Sequence, residues 1–151
     1  MKAMPENTYL DPTDAQAMAL FSRDIKGPLV MLNLLRFREM ADYSGYPALA
    51  PPEPISGREA YDHYIEHTLP YLTMAGGNLV YIGRGGGYLI GPQGSGWDLA
   101  MLVRQNSVEA FMDFAANEGY LAGIGHRVAA TRDSRILPLE DVELASASEW
   151  P

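Results

Sequence analysis

The chain has 151 residues, 47% hydrophobic and 20% charged, with a net charge of −8 and no cysteine. That length makes one domain with its own core, and the acidic balance excludes nucleic-acid and anionic-membrane binders, which need a basic surface. Without cysteine there is no disulfide, thiolate nucleophile or cysteine metal site, and an N-terminus bearing Glu6, Asp11 and Asp14 with no apolar segment predicts a cytoplasmic protein without a signal peptide.

Residues 1–12 read as a loose lead-in. Thr13 with Gln16 forms a capping box for a helix over about 13–24 that carries Ala17, Leu20 and Phe21 on one side. Gly27-Pro28 ends it. The run Pro28 to Phe37 is apolar at both alternating positions and predicts a central strand covered on both faces, with Asn33 as its polar exception. Residues 39–56 hold Pro47, Pro51, Pro52 and Pro54, a loop that reads either as a surface insertion or as a lid or partner-contacting arm. Ser56 and Glu59 form a second capping box, opening a helix over about 57–74 whose buried face is Tyr61, Tyr64, Ile65, Thr68, Leu69 and Leu72, with a bend expected at Pro70.

Asn78 to Arg84 then reads as a strand, Gly85 to Gly87 as a flexible corner, Tyr88 to Ile90 as a short strand, and Trp97 to Gln105 as another strand. Ser107 caps a helix carrying Phe111, Met112 and Phe114, and a broken helical piece follows with Tyr120, Leu121 and Ile124. Arg127 to Leu137 is predicted as the closing strand, and residues 139–151 as a frayed acidic tail.

With the first helix set aside, the order is β-α-β-β-α-β, which predicts an α+β, ferredoxin-like domain over 1–151 with its core at 28–137 and an extra N-terminal helix. Helices cover one face of such a sheet. Because these strands are apolar on both parities, the second face predicts a homodimer packed sheet on sheet.

The strand Trp97 to Arg104, the turn Gly76-Gly77-Asn78, Ser107-Val108-Glu109-Ala110-Phe111, Tyr120, His126-Arg127-Val128-Ala129-Ala130 and Tyr61-Asp62-His63-Tyr64 together resemble domain-of-unknown-function family 1330 over roughly residues 28–137. The resemblance implies the dimeric α/β-barrel superfamily, in which two ferredoxin-like protomers pack their sheets together. It carries no established activity. In some enzymes of that superfamily, cofactor-independent monooxygenases and haem-degrading enzymes among them, a pocket lies between sheet and helices and an asparagine orients the substrate.

His63-Tyr64-Ile65-Glu66-His67 matches H-x-x-E-H, the inverted zinc-protease motif. If the apolar face points to the core, both histidines fall about 160–230° round the helix, on the solvent side, with no third ligand in view. A metal site is therefore not expected. Gly83-Arg84-Gly85-Gly86-Gly87 lacks the following helix a phosphate cradle needs and reads as a hairpin corner.

Asn33 either fixes the sheet or floors a pocket, since a buried amide must find partners. Around it the sequence gathers Tyr64, Tyr81, Arg104 and Arg127 as substrate-binding candidates. His126 is read as a general base or, alternatively, a structural group at a helix-to-strand junction. Arg36 lies on the opposite strand parity from Asn33. The expectation is a cofactor-free homodimer binding a small organic ligand, with no nucleic-acid or membrane partner. It reads as an oxygenase or isomerase-like enzyme or, alternatively, a non-catalytic metabolite-binding or sensing module.

Overall fold

The computed structural model describes residues 7–143. Both capping boxes form: Thr13 and Gln16 exchange side-chain-to-amide hydrogen bonds to open α1 (Asp14–Ser22), and Ser56 and Glu59 do so for α2 (Gly57–Met74). Between them lie β1 (Leu29–Phe37) and a single 3-10 turn over Pro47–Leu49. The remaining elements are β2 (Asn78–Gly87), β3 (Gly96–Gln105), α3 (Val108–Ala115), α4 (Glu118–Leu121), α5 (Ile124–Ala130) and β4 (Thr131–Glu140).

The four strands form one antiparallel sheet in the order β2-β3-β1-β4. That order, with its β-α-β-β-α-β connectivity, is the ferredoxin-like arrangement, so the chain is an α+β protein with an added N-terminal helix. Strand alternation sorts the side chains. Leu29, Met31 and Leu35 of β1 and Leu99 and Met101 of β3 are buried beneath the helices, with Tyr61, Tyr64 and Leu72 of α2 against them. On the other face Val30, Leu32 and Leu34 stand beside Ala100 and Leu102, while Leu137 and Leu139 of β4 and Tyr81 of β2 are exposed there.

Gly57 makes the tight junction in this frame. A Cβ there would collide with the Arg38 carbonyl oxygen and lie 2.7 Å from that of Ala130, so only glycine lets α2 start against both the end of β1 and the end of α5.

Several boundaries differ from the sequence reading. Strand β2 runs unbroken through its glycines to Gly87, paired with β3 as far as Gly96, so residues 88–95 are the hairpin loop and Tyr88 to Ile90 form no strand. Cross-strand hydrogen bonding holds the glycines extended despite their low strand propensity. Arg127 to Ala130 is the last turn of α5, and the closing strand begins at Thr131. A short apolar run carries no period by which helix and buried strand can be told apart.

The proline-containing loop is pinned. Met40 bridges to Ser56, the Ala41 amide donates to the Ile55 carbonyl, the Asp42 amide donates to the Ala129 carbonyl, and Tyr43 is buried. The tail expected over 139–151 starts later, because Leu139 and Glu140 pair with Val30 and Leu29 as the end of β4; residues 144–151 and 1–6 lie outside the described residues. Among those described, no helix is long and apolar enough to cross a membrane.

Candidate functional site

A cavity of about 1220 Å³ lies between the helix-covered face of the sheet and the helices. Its floor is Met31 and Asn33 of β1, Met101, Val103 and Gln105 of β3, and Leu79 of β2. Its walls come from Tyr61, Tyr64, Thr68 and Leu72 of α2, Phe111 and Phe114 of α3, Tyr120 of α4 and Arg127 of α5. Strand period and helix period thus aim two apolar stripes at one space that the side chains do not fill.

The cover is the N-terminal arm and α1, which line the cavity through Tyr9, Leu10, Ala17 and Leu20. The Tyr9 amide donates to Asp133 Oδ1 at 2.9 Å, and the Tyr9 carbonyl accepts from the Ser134 amide at 2.9 Å and the Ser134 hydroxyl at 2.6 Å. Arg127 Nη1 donates to the Leu10 carbonyl at 2.8 Å and Nη2 to Ser134 Oγ at 3.1 Å. Asp133 anchors this end. Burial would raise its pKa, but bonds from the Tyr9 amide, Arg135 and the Ser134 amide outweigh burial and hold it below the ordinary 3.8. Helix α1 itself buries no residue, so these bonds and Leu20, packed on the Ile25-Leu29-Met31-Val108 cluster, keep it in place.

Inside the apolar lining sit a few polar groups. Asn33 Nδ2 donates to the Met31 carbonyl at 3.1 Å. The Tyr64 and Tyr120 hydroxyls share a hydrogen bond of 2.8 Å, and burial, reinforced by Tyr64, pushes the Tyr120 phenol well above its usual range. Tyr61, wholly buried, is raised for the same first reason. Thr68 Oγ1 and Gln105 Oε1 are buried with no hydrogen-bond partner among the described residues.

Two crystal structures of RPA0582, a protein of unknown function from Rhodopseudomonas palustris, match this chain at 33% identity over 91% of its length. Their TM-scores are 0.77, for the methylated protein, and 0.75, and the match covers 97% and 99% of those chains. The chain belongs to the RPA0582 family. A more distant likeness, 12% identical with a TM-score of 0.47 over 78% of this chain and 99% of the other, is to a dimeric ferredoxin-like protein of unknown function from Bacteroides fragilis. No protein-family model and no curated protein matches the chain, so the resemblance to domain-of-unknown-function family 1330 has no family model behind it.

In this RPA0582-family chain the residues gathered from the sequence divide. Asn33, Tyr64 and Arg127 line the cavity together. Tyr81 and Arg104 do not: both lie on the open sheet face, Tyr81 opposite Leu102 and Arg104 opposite Val30, where Arg104 reaches Asp141 at 3.6 Å. A bulge between Leu79 and Tyr81 reverses the parity that would have kept those two on one face.

His126 also lies outside the cavity lining, between Ile124 and Arg127, which line it. Its Nδ1 is 2.7 Å from the Tyr43 hydroxyl and its ring 5.6 Å from that of His63. Burial, then His63 and His67, holds its pKa below 6.5. Nor do the H-x-x-E-H histidines both face solvent. His67 is half-buried, its Nε2 2.8 Å from the Gly119 carbonyl oxygen, because α4 and α5 pack along that side of α2. Among the described residues no group of three or more His, Cys, Asp or Glu could hold a metal ion.

The sequence reading missed Gln105 and Tyr120 as site residues. Gln105 shares the parity of Leu99, Met101 and Val103, a signal that could have found it. The meeting of Tyr120 with Tyr64 across 56 residues left no local signal.

Proposed function

We propose that the protein is a homodimer that binds one small, largely apolar molecule per protomer between sheet and helices, as a carrier or sensor rather than through turnover. The cavity carries this reading. It is of the order of a small-molecule site, apolar at floor and walls, and holds a buried acceptor on Gln105 and a hydroxyl on Thr68 that lack partners among the described residues. A ligand with one or two hydroxyl or amide groups on an apolar body would satisfy them, with Asn33 and the Tyr64–Tyr120 pair as further orienting groups.

Proton-transfer chemistry of the oxygenase or isomerase kind asks for a base facing that space. His126 is outside it, and Tyr61 and Tyr120 are phenols that burial keeps protonated. Those placements favour binding. The homodimer rests on the open sheet face, where Val30, Leu32, Leu34, Ala100, Leu102 and Leu137 form one apolar surface.

Native mass spectrometry of protein purified from its own host tests both parts, reading subunit number and retained mass together. A dimer with a bound small molecule, lost in a Val103→Trp variant that narrows the cavity, is the expected result. A protein that retains no molecule, and whose cavity takes up no apolar fluorophore in a titration, would overturn the ligand-binding reading.

A further inference from the structure

A second cleft, about 710 Å³, lies at the opposite end of the sheet, lined by the end of β1, the start of α2, β2 and the start of β3. Three guanidinium groups line it, Arg38, Arg58 and Arg84, in a chain whose net charge is −8 and which has only 11 lysines and arginines. Most other arginines are engaged. Arg36 and Arg135 bind Asp133, Arg104 reaches Asp141, Arg127 holds the Leu10 carbonyl and Ser134, and Arg23 donates to the Pro138 carbonyl.

The cleft arginines are not spent in this way. Arg38 Nε is buried without a partner, and Arg84 has none among the described residues. Arg58 pairs with Asp62, an exposed pair at 3.2 Å on one helix face of the kind that contributes a few tenths of a kcal/mol, and its guanidinium lies 5.8 Å from the centre of the Phe37 ring. Two carboxylates also line the cleft and offset part of this charge without pairing directly with it: Asp98 Oδ2 accepts from the Phe37 amide at 2.8 Å, and Glu39 makes no ion pair among the described residues. The 18-residue helix α2 also points its positive end here, although Ser56 and Glu59 take up part of that end. Gly83-Arg84, which lacks a following helix in sequence, thus faces the N-terminus of α2 in space. Phe37, Ile82 and Leu99 supply an apolar side to the same cleft.

We infer that this cleft binds a phosphate group, with Arg38, Arg58 and Arg84 as its forks, and that the apolar side accepts the body of a small phosphate monoester. Three cations outnumber the two carboxylates that line the cleft, a bound dianion relieves their mutual repulsion, and guanidinium forks match its oxygens in pairs. The site is separate from the main cavity and stands whether or not that cavity is occupied.

The test is calorimetric titration of the full chain at low ionic strength with inorganic phosphate and with phenyl phosphate, with benzyl alcohol as the uncharged control. Saturable binding of the anions, weakened by salt and absent for the alcohol, is expected. Arg84→Gln should raise Kd about tenfold or more, the loss of one charge-assisted hydrogen bond. Arg132→Gln, an exposed arginine outside the cleft, should leave it unchanged. Tighter phenyl phosphate binding assigns the site to an ester, and equal affinities assign it to free phosphate. Arg38→Gln disturbs a packed junction, so exposed Arg84 carries the test. No saturable binding of either anion, or the same affinity in Arg84→Gln and Arg132→Gln, overturns the inference.

Discussion

Replacing Leu32 by Glu puts a carboxylate at the middle of the open sheet face, between Leu102 on β3 and Leu137 on β4. Four strands about 4.8 Å apart, each about nine residues long at ~3.4 Å per residue, present about 590 Å² per protomer. Two such faces bury about 1,200 Å², the lower bound of a stable specific interface. In the proposed two-fold dimer the substitution acts twice. Each lost leucine removes about 1.5–3 kcal/mol of apolar burial, and two carboxylates must shed water near one axis. A total of about 5 kcal/mol raises the dimer dissociation constant a thousandfold or more. Sedimentation velocity over a micromolar dilution series reads this, with circular dichroism confirming that the Leu32→Glu monomer keeps its fold. A native chain that sediments as one subunit at every concentration would refute the reasoning, as would a Leu32→Glu variant that dimerises as tightly as the native chain.

Gly57→Ala should lower stability by about 2 kcal/mol or more, because the new methyl meets two backbone carbonyls that cannot move aside, and scanning calorimetry checks it. Tyr120→Phe should lose about 1–2 kcal/mol by leaving the buried Tyr64 hydroxyl unpaired. The double Tyr64→Phe, Tyr120→Phe variant should lose less than the sum of the two single changes in urea unfolding. His126 has a folded-state pKa below 6.5, so the unfolded chain binds its proton first; stability present above that pH is lost as pH falls through the folded value. A pH series of melting temperatures should show that decline, and His126→Gln should flatten it. Asp133 behaves alike at lower pH, its contribution being lost below about 3.8, and Asp133→Asn should remove that acid limb and loosen the N-terminal arm in hydrogen exchange.

The half of the site that could be read from sequence is the half that strand and helix periods decide. Asn33 shares parity with Met31 and Leu35, and Tyr64 and Thr68 share a helix face, so local spacing alone sends them to one space. Tyr81 failed because one bulged residue reverses parity, and such a bulge leaves no mark in composition. His126 failed because its turn belongs to a helix, whose packing against α2 chooses which side faces the cavity. The three cleft arginines stand at positions 38, 58 and 84, and only chain closure brings them to one opening.

By itself the sequence determined most of the secondary elements and their order: both capping boxes, the apolar central strand and the β-α-β-β-α-β connectivity are local facts set by side-chain hydrogen bonds and by hydrophobic period. Tertiary structure alone decided what those elements enclose. The arm at Tyr9 and Leu10 lines one side of the cavity because β4 leaves an edge for it to bond, and the volume inside stays open because the facing side chains do not meet across it. Period fixes the direction of a side chain; how far the opposite wall stands from it depends on the whole chain.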